Sequence, residues 1–94
     1  MAFSFEWDAR KAAANQRKHG VAFEAAIPVF GDPLARIFDD PEHSEDEPRE
    51  LIVGHAVRRR LLVVCFVQRG DRVRIFSARR ATRQERRDYE EGTS

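Results

Sequence analysis

The run Leu61-Leu62-Val63-Val64-Cys65-Phe66-Val67 constrains this chain more than any other segment. Seven apolar residues in succession have no polar side to turn to water. Bounded by polar residues, they predict a central strand buried on both faces. The next segment is shaped to pair with it. Arg69-Gly70-Asp71 reads as a tight hairpin, with glycine available for the primed turn that strand twist prefers. Arg72 to Ala78 then alternates, placing Val73 and Ile75 on one side and Arg72 and Arg74 on the other, so one face of that strand is basic. Upstream, Val57-Arg58-Arg59-Arg60 connects back to the extended Leu51-Ile52-Val53. Leu34 to Phe38 alternates over a short stretch and predicts a strand with Leu34 and Phe38 on one face. The ten residues from Asp39 to Pro48, with six acids and two prolines, read as a loop.

Helices bracket these strands. Asp8 is a good N-cap before Ala9-Arg10-Lys11-Ala12-Ala13-Ala14, and Gly20, after Arg17-Lys18-His19, is placed to end that helix with a positive φ. Trp7 is expected to staple onto Ala12. In Phe23-Glu24-Ala25-Ala26-Ile27 the residues Phe23, Ile27 and Phe30 share a helical face, although Pro28 shortens or kinks the element and Gly31-Asp32-Pro33 breaks it. Thr82-Arg83-Gln84-Glu85 is a capping box that opens a last helix to about Glu91, with Tyr89 as its anchor on the sheet. The predicted order is α-α-β-β-β-β-α. This is a single α+β domain over residues 1–94, its four-stranded sheet mainly antiparallel.

Composition narrows the function. The chain carries 17 basic and 16 acidic residues, a formal net of +1, which excludes a bulk polycation. The charges are nevertheless sorted along it. Residues 1–50 hold 6 basic and 11 acidic side chains, and residues 51–94 hold 11 and 5, about −5 and +6. Such asymmetry points to a nucleic acid or another acidic partner. Fifteen of the basic residues are Arg, whose fork suits phosphate. The lone Cys65 reads as core and cannot form an internal disulfide. No apolar run approaches the ~18–20 residues of a membrane span, and no signal peptide is indicated, so a reducing cytoplasm is the expected compartment.

Eleven arginines fall between Arg58 and Arg87. Arg79 and Arg80 are the sharpest candidates for anion contact, because they sit where a strand ends beside the first turn of a helix. Arg58, Arg59, Arg60, Arg72, Arg74 and Arg83, with Lys18, are the candidate RNA-binding residues around them. A solvated face, with Arg86 and Arg87 paired to Glu90 and Glu91, is the competing explanation. Of the three histidines, His19 could simply cap a helix C-terminus and His55 could be a packed histidine at a strand end, yet both can move protons near neutral pH. His43 lies among carboxylates without further ligand spacing, and a solvated loop suits it better than a metal site. Serine-nucleophile motifs, phosphate-cradling glycine loops and CxxC pairs are absent, and no cofactor or metal is indicated.

The strings Phe5-Glu6-Trp7-Asp8 with Lys11, Asn15-Gln16-Arg17-Lys18-His19-Gly20-Val21 and Val29-Phe30-Gly31-Asp32-Pro33 resemble the BrnT family of bacterial toxins. So do Glu47-Pro48-Arg49, Ile52-Val53-Gly54-His55, Arg60-Leu61-Leu62-Val63-Val64 and Arg74-Ile75-Phe76-Ser77-Ala78-Arg79-Arg80-Ala81-Thr82 with Glu85-Arg86 and Tyr89. The blocks cover nearly the whole chain, and their order is more specific than any one of them. The resemblance implies a small RelE-like ribonuclease toxin. It further implies a BrnA-type antitoxin with a ribbon-helix-helix domain, a 2:2 complex, and operator DNA bound only through that antitoxin. Two positions depart from the pattern. Ala22 stands where the family often caps the second helix with Ser or Thr, and Glu50 stands where an apolar residue is expected, which would make that strand's start an exposed edge.

The resulting expectation is a metal-independent endoribonuclease in which a ribose 2′-hydroxyl attacks the adjacent phosphate. Arg79 and Arg80 would stabilise the transition state, His55 and His19 would transfer protons, and Tyr89 would position or stack on the substrate. The alternative is a non-catalytic module that uses the same arginine-rich face to bind nucleic acid or protein. A DNA-binding repressor in its own right is disfavoured, since no helix-turn-helix or ribbon-helix-helix pattern is visible.

Overall fold

The computed structural model describes residues 3–40 and 48–92, so His43 and most of the acidic loop lie outside the described residues. The elements are β1 Ser4–Glu6, α1 Ala9–His19, α2 Phe23–Ala26, a 3-10 segment Ile27–Gly31, β2 Arg36–Asp39, β3 Glu50–His55, β4 Leu61–Arg69, β5 Arg72–Arg80 and α3 Arg83–Gly92. The strands form one mixed sheet in the order β1-β5-β4-β3-β2, antiparallel except where β1 runs parallel to β5. The α+β class holds, with five strands among the described residues rather than four and a strand ahead of the first helix. No helix among the described residues is long and apolar enough to cross a membrane.

The seven apolar residues of β4 are all buried, because the sheet is covered on both sides. On one side Leu62, Val64 and Phe66 meet Phe23, Val29, Val73, Ile75 and Ala78 beneath α1 and α2; on the other, Leu61 and Val63 meet Val53 and Tyr89 from α3. Gly70 has φ +62° at the first position of the two-residue β4–β5 loop, the conformation its lack of Cβ permits. Asp8 caps α1 by accepting from the amides of Arg10 and Lys11, and Gly20 ends it at φ +70°.

Several expectations are corrected. Strand β1 carries no sequence signal of its own, because three residues show no periodicity. It is held by parts of the chain far away in sequence, where Phe5 packs on Phe30 and Glu6 accepts from Arg74 of the paired β5 at 2.9 Å. Helix α2 is a single turn continuing into the 3-10 segment, which tightens the spacing to three. The buried face is therefore Phe23, Ala26 and Val29, while Ile27 and Phe30 are half-buried. The departure at Ala22 is borne out, since this residue makes no side-chain cap to α2. Leu34 precedes β2 and is 54% exposed, because Asp32 turns the chain by accepting the Leu34 amide at 2.9 Å. Glu50 is not at an exposed edge, since it pairs with Asp39 of β2 and Phe66 of β4. Trp7 sets its ring edge-on against Phe23 at 5.8 Å, with Ala12 in the same cluster.

Two irregularities position the functional residues. Beyond Glu6 the chain leaves the sheet for α1, so among the described residues no strand lies beside the outer edge of β5 at Ala78. The buried Asn15 of α1 replaces that strand. Its Nδ2 donates to the carbonyls of Ala78 and Val21 at 2.8 and 2.9 Å, and its Oδ1 accepts from the Ala78 amide at 3.1 Å. The second irregularity is a bulge. Cys65 is opposite Ser77 and Phe66 opposite Ile75, which leaves Phe76 without a counterpart. Strict alternation from Val73 and Ile75 would send Ser77 and Arg79 into the α1 side. The extra residue resets the phase, so Ala78 is buried there and Ser77 and Arg79 emerge on the α3 side.

Candidate functional site

Helix α3 crosses only part of the sheet's second face and leaves an open concavity beside it. This cavity of about 360 Å³ is lined by Lys11, Asp40, Arg49, Leu51, Cys65, Phe76, Ser77 and Arg79. Three cations reach it from three separate places: the first turn of α1, the entry to β3 and the end of β5. The Arg49 guanidinium lies 3.8 Å from the centre of the Phe76 ring and the Lys11 ammonium 5.2 Å, so the bulged residue is the cations' shared platform. Cys65 sits in the wall with its thiol toward Asp40 at 3.4 Å. Burial, reinforced by that carboxylate, pushes the thiol up to about 11, so it stays protonated and is no nucleophile near neutral pH.

Arg79 is held in a fixed pose. Its Nη1 and Nη2 donate to Oε1 and Oε2 of Glu85 at 2.7 and 2.8 Å. The same carboxylate accepts from the Thr82 amide at 2.8 Å while the Thr82 hydroxyl accepts from the Glu85 amide at 3.1 Å, which is the capping box read from sequence. One side chain thus starts α3 and orients the arginine. Hydrogen bonding to Glu85 holds Arg79 above arginine's ordinary value, and the bonds from Arg79 bring Glu85 down to about 2 despite partial burial.

The other predicted residues are dispersed. Arg80 is exposed and on the opposite side of β5 from Arg79. Lys18 and His19 stand in the last turn of α1, about two turns beyond Lys11, and neither lines the cavity. Arg72 and Arg74 both face Glu6, at 3.8 and 2.9 Å, so that strand's basic face is partly neutralised. Arg58, Arg59 and Arg60 form the β3–β4 turn, and Arg83 is exposed in the first turn of α3. Lys11, Arg49 and Phe76 belong to the strings that carry the family resemblance, yet neither they nor Asp40 are among the expected site residues. No local pattern marks them as a site, because the strand register and the bulge are what bring them together.

His55 and Tyr89 do meet, away from the cavity. His55 is opposite Leu61 and Arg79 opposite Val63, so β4 separates the two by two strand spacings, roughly 10 Å. Asp32 is the hub of this second group. Its Oδ2 accepts from the Tyr89 hydroxyl and the His55 amide, each at 2.8 Å, and Nδ1 of His55 lies 3.2 Å from the Tyr89 oxygen. Burial raises the Asp32 carboxyl, but the hydrogen bonds from His55, Leu34 and Tyr89 outweigh it and hold the group below its ordinary value. Burial and the neighbouring Asp32 push Tyr89 up to about 12, so its hydroxyl remains a donor. The group ties α3 to β3 and to the turn before β2. Tyr89→Phe is expected to lower stability by about 1.5–3 kcal/mol, the worth of a hydrogen bond to a charged group, read as a shift in urea midpoint without a change of slope.

Both lowered carboxylates act in the same direction with pH. Each is more acidic folded than unfolded, so its contribution is complete above the unfolded value, 4.5 for Glu85, and is lost as pH falls through the folded one. Stability should therefore decline from about pH 4.5 toward 2, and Glu85→Gln should flatten that decline in acid titrations followed by circular dichroism. An unchanged acid limb in the variant would remove Glu85 from the account.

Comparison with known proteins adds three findings. A family model described as the ribonuclease toxin BrnT of type II toxin–antitoxin systems matches residues 7–85. The fold is similar to the crystal structure of the Brucella abortus ribonuclease toxin BrnT, at 24% identity and a TM-score of 0.68, covering 87% of this chain and 100% of that one. No curated protein matches the sequence.

Proposed function

The chain belongs to the BrnT family of ribonuclease toxins of type II toxin–antitoxin systems, and on that premise we propose an endoribonuclease whose scissile phosphate docks in the cavity of Lys11, Arg49 and Arg79. The observation that carries this reading is the convergence of three cations from distant parts of the chain around one concavity floored by an aromatic ring. The reaction is attack of a ribose 2′-hydroxyl on the adjacent phosphorus. The O2′–P bond forms as the hydroxyl proton leaves, and the P–O5′ bond breaks as the 5′-oxygen gains a proton. The products are a 2′,3′-cyclic phosphate and a 5′-hydroxyl. Charge builds on the non-bridging oxygens in the transition state, and preorganised cations in a concave site stabilise it. Arg79, clamped by Glu85, and Arg49, set on Phe76, supply fixed guanidiniums. Asp40 is the proton acceptor and Lys11 the donor within this cavity. His55 and Tyr89 serve it indirectly, by anchoring the helix that carries Glu85.

The reading includes an antitoxin partner of the BrnA type, with a ribbon-helix-helix domain, joined in a 2:2 complex that represses its own operon. Acidic or apolar antitoxin segments would mask the cations. The deciding experiment is incubation of purified protein with RNA in EDTA, with the ends mapped. Cleavage that leaves cyclic phosphate supports the reaction. Intact RNA with salt-sensitive binding, after ribosomes have also been supplied, would favour the non-catalytic module.

A further inference from the structure

The turn from β3 to β4 is built in a way its residues resist. The Arg60 amide bonds back to the Val57 carbonyl at 3.4 Å, with Arg58 and Arg59 between them at φ +61° and +58°. Two successive positive φ values define a primed turn, where Asn-Gly is the favoured pair and a side chain with a Cβ costs energy at each position. Arginine gains nothing locally from this conformation. What the turn achieves is projection, since both side chains are exposed at the tip of the hairpin.

Neighbouring charge makes the projection specific. The Ala81 amide bonds to the Leu61 carbonyl at 2.9 Å, and Arg80 is opposite Leu62, so the end of β5 runs alongside the start of β4. Arg60, Arg80 and Arg83 therefore lie along the same end of the sheet as the turn. Among the described residues, none of these five arginines is paired with a carboxylate. By contrast, Arg72, Arg74 and Arg79 are paired. Backbone strain kept beside uncompensated like charges is retained for a ligand rather than for the fold.

We propose that the Arg58-Arg59 turn, with Arg60, Arg80 and Arg83, is a docking platform for the phosphate backbone of the RNA strand, separate from the cavity. The proposal rests on the RNA-cleaving reading for the identity of the strand. Exposed guanidiniums at a sheet's end recognise phosphates without reading bases. The platform would set how tightly RNA is held and leave the chemical step to the cavity.

The double variant Arg58→Asn/Arg59→Gly tests it in the full-length chain, because the same change should improve the fold and impair binding. Relief of the turn should raise Tm by roughly 5–10 °C. Affinity for a non-cleavable 2′-O-methyl RNA oligonucleotide should fall about tenfold near 0.1 M salt, and the slope of log K against log salt should shrink by about 1.4 for two lost single-strand contacts. In cleavage assays KM should rise while kcat holds. A control of equal charge change, Arg86→Gln/Arg87→Gln on the exposed side of α3, should weaken binding less. An unchanged affinity and salt slope, an equal loss in the control, or a lower Tm in the turn variant would each overturn the platform. If the wild-type chain cleaves nothing yet the turn variant still loses oligonucleotide binding, the platform stands and the ribonuclease reading falls.

Discussion

Replacing Arg79 with alanine is expected to slow RNA cleavage by about 10²–10³-fold, the cost of removing one preorganised donor from developing charge. Unfolding cannot account for a loss of that size. The Arg79–Glu85 pair is about a third exposed on both sides, and such pairs contribute about 0.2–1 kcal/mol. Glu85 also keeps its bond to the Thr82 amide, so α3 still starts. Arg79→Lys should recover only part of the rate, because an ammonium retains the charge but not the two-pronged grip on Glu85. The measurement is single-turnover cleavage beside a urea melt. A rate within threefold of wild type in Arg79→Ala would move the reaction out of the cavity.

Asn15→Ala should lower stability more than any of the other substitutions. The side chain satisfies three backbone groups, the Ala78 amide and the Ala78 and Val21 carbonyls, in a site only 7% exposed. Stranding a buried polar group costs about 1–3 kcal/mol, so the three together approach about 3–6 kcal/mol. A domain of this size has roughly 5–15 kcal/mol in all, and the variant should be substantially unfolded at 37 °C. Asn15→Asp should fare little better, since a carboxylate can accept from the amide but repels both carbonyls. Chemical denaturation reads the result directly. A loss below 1 kcal/mol in Asn15→Ala would mean that water or a shifted backbone takes over these bonds.

The legible parts of the fold were those encoded by local period or capping chemistry. The apolar run of β4, the Asp8 and Gly20 ends of α1, the glycine hairpin and the Thr82–Glu85 box all stand where the sequence put them. What escaped was non-local. Strand β1 is three residues stabilised by Arg74 on a neighbouring strand far along the chain, and Asn15 sits in a run of helix formers with nothing to mark it as a substitute strand. The cavity is half legible: Arg79 stands out in the sequence, but its partners depend on a register that no single segment carries. Histidine chemistry is versatile, yet backbone geometry places His55 beside Asp32 and Tyr89 and His19 in the last turn of α1, outside the cavity.

Phe76 shows where two demands on one strand part company. The β4–β5 ladder closes without it, for every other residue from Arg72 to Arg80 has a partner across the pair. The surplus residue is instead the surface on which Lys11 and Arg49 rest. A hairpin that is one residue too long for pairing alone has converted its excess length into a seat for two cations, so the place where the sheet is least regular is where the site is most defined.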